Sequence, residues 1–192
     1  WLKGGAATRE TSDFAKIRRW LTWYAQFMNP DGTIYDYTYA NGTLTSRNTY
    51  DSSDSYAATY LEAIHEYVKT TGELRFAKAL FSRGIQRAVR AILLTYQADG
   101  LTWARPDYPV KYLMDNIEVY RGLKAAAELA RRISHPSEAS DWHQRAQRTH
   151  TALTTLLWLP SQQYYAWGLH TNGALETRLS EWYPDVMAQL MA

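Results

Sequence analysis

Apolar residues recur at three- and four-residue steps through most of the chain, and the breaks between these runs alternate between short and long. That pattern restricts the fold to paired helices. From Asp13 to Met28, the residues Phe14, Ile17, Leu21, Tyr24 and Met28 form one stripe, with Lys16, Arg18 and Arg19 between them. Thr11, Ser12 and Asp13 offer a cap, and Asn29-Pro30-Asp31-Gly32 supplies turn chemistry. A second helix is predicted from Asp54 to Lys69. Its Tyr56, Ala57, Tyr60, Leu61, Ile64, Tyr67 and Val68 leave little polar face, so it should be buried. A third, Leu74 to Tyr96, is amphipathic, and its Arg83, Arg87 and Arg90 read as a solvated outer stripe. The fourth, Asp115 to Ile133, is Ala-rich. The fifth, Ala139 to Leu159, turns Trp142, Ala146, Leu153, Leu156 and Leu157 inward. A sixth begins near Pro184 or Asp185. Strands are expected only as small hairpins at Thr33 to Tyr39 and Gln163 to Gly168.

The connections carry more information than the helices. Short turns lie at Thr70 to Glu73 and Ser134 to Glu138. Long loops lie at Asn29 to Ser53, Gln97 to Met114 and Pro160 to Tyr183. Long irregular loops in compact domains are uncommon and often functional. If successive helices are antiparallel, all three long loops emerge at one end. The units also repeat: amphipathic helix, aromatic loop, apolar helix. Two loops open with Asp-Gly, at Asp31-Gly32 and Asp99-Gly100. The buried helices open with Asp54, Asp115 and Asp185.

Composition narrows the function classes. A hydrophobic fraction of 46% and a net charge of +2 describe an ordinary globular chain, without an electrostatic case for nucleic acid or anionic membrane. No apolar run approaches the roughly 18 residues that span a bilayer. The chain opens at Trp1 without a charged-then-apolar leader and stops at Ala192 inside an apolar stretch. The expectation is therefore a piece of a longer protein, with residues 1–192 forming a single all-α domain. The sequence names no compartment, and the absence of cysteine fits oxidising and reducing ones equally. Aromatics are unusual: 15 Tyr and 8 Trp stand against 4 Phe. Rings with a polar tip suit wet binding surfaces as well as cores.

Acids and aromatics share the long-loop end. Asp31, Asp36, Asp51, Asp54, Asp99, Asp107, Asp115, Glu118 and Asp185 lie there with Trp103, Tyr108, Tyr112, Trp167 and Trp182. Carboxylates among Trp and Tyr rings suit carbohydrate chemistry: rings stack on sugars, while carboxylates bind hydroxyls and exchange protons. The plain alternative for each acid is a helix cap or turn. Asp31 and Asp99, each before Gly, read as turn residues. Asp54 and Asp115 stand out because both open apolar helices after Tyr-rich segments. Among histidines, His143 and His150 lack a carboxylate to complete a zinc site. His170 is the histidine in a long loop and a candidate substrate contact.

The outer helix, aromatic Asp-Gly loop and acid-opened inner helix resemble the six-hairpin glycosidases, whose fold is an (α/α)6 toroid. Tyr50 to Leu61, Asp99 to Tyr120 and Glu181 to Met191 carry the likeness. Met114-Asp115-Asn116 resembles the arrangement in unsaturated glucuronyl and rhamnogalacturonyl hydrolases, where aspartates opening two inner helices flank the substrate. The resemblance implies that Asp54 and Asp115 are an acid/base pair. It also implies that the ring, of which this chain holds about three hairpins, is completed by further chain or by a second copy. The expected activity is glycoside hydrolysis, or a related lyase reaction, on a poly- or oligosaccharide; in the hydrolysis one aspartate protonates the glycosidic oxygen and the other positions water, and a wide separation predicts inversion. Trp103, Tyr108, Tyr112, Trp167 and Trp182 stack sugar rings. Arg105, Asp107, Asn116 and Glu118 bind hydroxyls, with Asp51, His170 and Tyr183 in the same substrate-binding set. No cofactor and no metal enter this scheme. Its rivals are a non-catalytic carbohydrate-binding protein, an α-solenoid that binds protein, and an isoprenoid-processing toroid. Acids taken up by capping bonds favour the first rival; carboxylates facing one another across a groove favour the enzyme.

Overall fold

The computed structural model describes residues 11–192; Trp1 and the rest of residues 1–10, and the proposed capping side chains of Thr11 and Ser12, lie outside the described residues. The fold is predominantly helical. Helix α1 (Thr11–Phe27) leads through the hairpin β1 (Tyr37–Ala40) and β2 (Thr43–Ser46) to α2 (Asp54–Thr71). After a short turn, α3 (Leu74–Leu80) and α4 (Gln86–Leu93) follow, joined by a π-helical turn at Phe81–Ile85. Strand β3 (Val110–Tyr112) runs directly into α5 (Leu113–Arg132), and α6 (Pro136–Ala152) returns, ending in a second π turn at Leu153–Leu157. The last segment carries β4 (Trp158–Leu159), β5 (Tyr164–Tyr165), β6 (Gly168–His170) and β7 (Leu175–Glu176), then a π turn at Trp182–Val186 and α7 (Met187–Met191). Strands occur only as short antiparallel pieces, but their positions differ from the two expected hairpins: β1 pairs with β2, β4 with β5, and β6 lies between β3 and β7.

Helices α2 and α5 are the inner pair. Both begin at the same end and pack along their lengths, so they are parallel neighbours. Gly122 makes this possible: a Cβ there would lie 2.6 Å from the Ala58 Cα. One apolar core joins Leu21 and Tyr24 of α1 with Tyr60, Leu61 and Ile64 of α2, Ile85 and Ile92 of the α3–α4 rod, and Leu123 and Leu129 of α5. A second core gathers Leu101, Leu113, Leu153, Leu157 and Ala188 beneath the long loops. Leu156, expected inward, is exposed. Nor is α2 buried all round: Thr59 is exposed, and Glu62, His65 and Glu66 are only partly covered.

The Asp-Gly repeat is real at the level of bonds. Asp31 Oδ1 accepts from the Thr33 amide, and Asp99 Oδ1 from the Leu101 amide. Gly32 and Gly100 have φ of 96° and 94°, which glycine adopts without steric cost. Each turn presses on the next outer helix. A Cβ on Gly32 would lie 1.9 Å from the Arg87 carbonyl oxygen, and one on Gly100 would lie 2.9 Å from that of Arg148. The same arginines reach back: Arg87 donates to the carbonyls of Met28 and Asn29, and Arg148 to that of Ala98. Arg90 donates to the Pro30 carbonyl. Arg83 and Arg90 are exposed, as their charge predicts, but Arg87 is only partly exposed and, with Arg90, anchors the first loop. The long loops meet at one end, as the connection pattern predicts. The Ser53 amide donates to the Ala104 carbonyl, and the Leu113 amide to that of Trp167.

Candidate functional site

A cleft of about 720 Å³ opens at the long-loop end, over the N-termini of α2 and α5. One wall is aromatic and belongs to the first hairpin. Tyr24 and Tyr60 stack at 4.1 Å, and Trp20 meets both edge-on. The Tyr60 hydroxyl donates to the Leu21 carbonyl, while that of Tyr24 is buried without a hydrogen-bond partner. The opposite wall comes from the second and third loops. Tyr112 stacks on Trp167 with their planes 7° apart, and its hydroxyl lies 3.1 Å from that of Tyr108. The indole of Trp167 is fixed by donating to the Arg178 carbonyl. Tyr183, Pro184 and Ala188 close a third side.

The cleft carries the acids Asp51, Asp115 and Glu118 beside the hydroxyls of Ser52, Ser55 and Thr59. Asp115 and Glu118 are one turn apart on α5, so both face the same way. Burial pushes the Asp115 carboxyl well above its ordinary range, reinforced by the charges of Asp54, Glu118 and Asp51 and opposed by the Ser52 hydroxyl. Burial also raises Glu118 to about 7, helped by Asp54 and Glu62 and opposed by Arg121. Carboxyls in such surroundings retain a proton near neutrality and can donate it. The cationic lining residue is Arg105. It lies over the Tyr108 ring, donates to the Tyr50 carbonyl and pairs with Asp107 at 3.1 Å.

Asp54 occupies a different position from the one its sequence context suggests. It is fully buried and is not among the cleft-lining residues. Its carboxylate accepts from Ser52 Oγ at 2.7 Å, the Ser55 amide at 2.8 Å and Thr102 Oγ1. Asn116 is buried in the same network. Its Oδ1 accepts from the Thr102 amide at 2.7 Å, and its Nδ2 donates to the carbonyls of Thr102 and Tyr112. A side chain so enclosed cannot touch a substrate, so neither Asp54 as catalyst nor Asn116 as hydroxyl binder fits this geometry. The network joins the starts of α2 and α5 through the second loop. Burial raises Asp54 to about 6, and the bonds from Thr102, Ser52 and Ser55 oppose that rise.

Of the other expected contacts, Asp51, Arg105, Tyr108, Tyr112, Glu118, Trp167 and Tyr183 line the cleft with Asp115. Trp103, Asp107, His170 and Trp182 do not. Asp107 is exposed, with its carboxylate on Arg105. His170 Nε2 lies 2.8 Å from Glu176 Oε1 across the β6–β7 pair. Trp182 is exposed beside the cleft-lining Tyr183. Sequence reasoning missed Trp20, Tyr24, Tyr56, Thr59 and Tyr60 as wall residues. Ser52, Tyr56, Thr59 and Tyr60 follow helical spacing from the start of α2, which was the available signal. Among the described residues, no group of three or more His, Cys, Asp or Glu is placed to hold a metal ion, and no helix is long and apolar enough to cross a membrane. No protein-family model matches the chain, and no curated protein matches it.

Proposed function

We propose that the chain is part of a glycoside hydrolase that acts on a poly- or oligosaccharide in the cleft above α2 and α5. The observation that carries this reading is the set of carboxyls Asp51, Asp115 and Glu118 between two aromatic walls. Asp115 donates a proton to the glycosidic oxygen, and its partly exposed, raised carboxyl is suited to that step. Asp51, an exposed residue of the cleft lining, positions the attacking water and accepts its proton. Glu118, Ser55 and Thr59 bind hydroxyls, while Trp20, Tyr112 and Trp167 offer stacking faces.

The parallel inner helices, returned by α3–α4 and α6, support a ring of hairpins of the (α/α)6 kind. Trp182, Tyr183 and Leu190 are each about two-thirds exposed on the α7 side. In this reading further hairpins, or a second copy of the chain, continue the ring there. One observation favours the binding-only rival: Asp54 is taken up by internal hydrogen bonds.

One experiment separates the two. The chain is incubated with neutral and acidic oligosaccharides, and released reducing ends are measured beside calorimetric binding. The hydrolase reading expects Asp115→Asn to lose on the order of 100-fold or more in turnover while still binding, and Asp51→Asn to fall similarly. Turnover that survives Asp115→Asn removes the assignment. Binding with no turnover in the native chain supports the rival.

A further inference from the structure

We propose that the glycan taken by this cleft carries free amino groups: it is a hexosamine chain, and one of its ammonium groups sits on Glu118 in place of a hydroxyl. This rests on the reading of the cleft as a glycan site and names the class of sugar.

The first support is charge. The chain as a whole carries +2, yet the cleft sets the carboxyls of Asp51, Asp115 and Glu118 against the guanidinium of Arg105. That guanidinium is already engaged, by Asp107 at 3.1 Å and by the Tyr50 carbonyl. Arg121, one turn beyond Glu118 on α5, donates to the Met191 carbonyl. Acids elsewhere have cations of their own: Asp99 pairs with Lys111, Glu128 with Arg131, and Asp141 with Arg145. Among the described residues, none of the three cleft carboxyls has such a partner within ion-pair distance. A uronate or sulfated sugar would bring its anion among these acids with no cation to receive it, which is costly. An ammonium supplies the missing partner.

The second support is the direction of the hydrogen bonds. The Tyr56 hydroxyl donates to Asp36 at 3.0 Å, and that of Thr59 to the Ser55 carbonyl at 2.8 Å. The indole proton of Trp167 goes to the Arg178 carbonyl. With their protons spent, the two hydroxyls can only accept from a ligand. The cleft therefore needs a ligand rich in donors. An ammonium brings three donors and no acceptor; N-acetylation leaves one donor and adds a carbonyl. The aromatic walls then require that the cation ride on a ring. Tyr112 and Trp167 lie parallel to within 7°, and Trp20 is exposed on the other side, so both walls offer flat faces to a pyranose. Glu118 is one turn from Asp115, so a sugar whose glycosidic oxygen meets Asp115 has a ring substituent near Glu118.

The test is calorimetric titration of the full chain near neutral pH and at low salt. The probes are the tetramers of glucosamine, N-acetylglucosamine and galacturonate, with spermidine as a cation that has no ring. The glucosamine tetramer should bind about tenfold or more tighter than its N-acetylated form. The galacturonate tetramer should bind weakest of the sugars, and spermidine well below glucosamine. High salt should shrink the preference. Glu118→Gln should reduce it to about twofold or less, since the charged acceptor is gone. Equal or tighter binding of the N-acetylated or galacturonate tetramer overturns the inference. So does spermidine binding as tightly as the glucosamine tetramer, a full preference in folded Glu118→Gln, or no binding of any probe. The native comparison decides the matter if the variant does not fold. The outcome is separable from the hydrolase reading. The expected preference without any turnover leaves the sugar class standing and removes the hydrolase. Turnover of a neutral or acidic glycan that depends on Asp115, without the preference, removes only the sugar class.

Discussion

At the scale of single residues, the cleft depends on how closely two helices approach. Gly122 faces Ala58, and a side chain there would meet the Ala58 Cα at 2.6 Å and its carbonyl oxygen at 2.7 Å. Those atoms are backbone in the second turn of α2, so they cannot rotate away. Replacing glycine by alanine in an unobstructed helix usually stabilises it by up to about 1 kcal/mol. Here the sign should reverse. Gly122→Ala is expected to cost on the order of 1–3 kcal/mol through overpacking, read from the urea midpoint. It should also pull the start of α5 away from Thr102 and Ser52, because Asn116 and Gly122 share one rigid helix. A variant as stable as the native chain would show that this contact does not set the spacing.

At the scale of elements, the unit that repeats is a loop seated on the following outer helix. The Asp31–Thr33 turn sits against Arg87, and the Asp99–Leu101 turn against Arg148. Arg87→Ala removes the donor from the Met28 and Asn29 carbonyls. The expected loss is about 1–3 kcal/mol, since a charged donor is withdrawn from partly buried acceptors. The effect should be local: amides between α1 and α2 should exchange with solvent faster, while those in the middle of α5 keep their protection. Uniform loss of protection would argue against an anchoring role. The same elements explain what the sequence made legible. Helix positions and the common end of the loops follow from periodicity and connection length, and the two Asp-Gly turns from chemistry that is local along the chain. Asp54 misled because an aspartate opening an apolar helix looks the same whether it faces a cleft or a neighbour. Its partner Thr102 lies 48 positions away in an irregular loop. The anchoring role of Arg87 and Arg90 was not legible because their acceptors are backbone carbonyls, which no residue pattern records. Trp20 and Tyr24 have core spacing on α1, yet they also line the cleft. The open face of α2 was hidden because which side of an apolar helix stays uncovered depends on its neighbours.

At the scale of the whole molecule, the cleft makes folding stability depend on pH. Asp54 is raised from 3.8 to about 6 and Glu118 from 4.5 to about 7, with Asp115 displaced in the same direction. A carboxyl raised in the folded chain binds its proton more tightly there than in the unfolded chain. Its contribution is complete below the unfolded value and lost as pH rises through the folded one. For Glu118 that window runs from 4.5 to about 7, and for Asp54 from 3.8 to about 6. Asp185 works in the opposite sense. The amides of Glu181 and Ser180 hold its carboxyl below the ordinary value, so its contribution is lost on acidification. Stability should therefore rise as pH is lowered through the Glu118 window and fall again when low-lying acids such as Asp185 protonate. Glu118→Gln tests the source of the first slope. It removes a partly buried charge from the cleft without changing its shape. The variant should be more stable than the native chain above the window, by on the order of 1–3 kcal/mol, with little difference below it. Urea unfolding across this range measures the difference directly. A parallel offset between the two chains at every pH would mean that Glu118 contributes by packing alone, and the repulsion among the cleft carboxyls would have to be sought at Asp115 and Asp54.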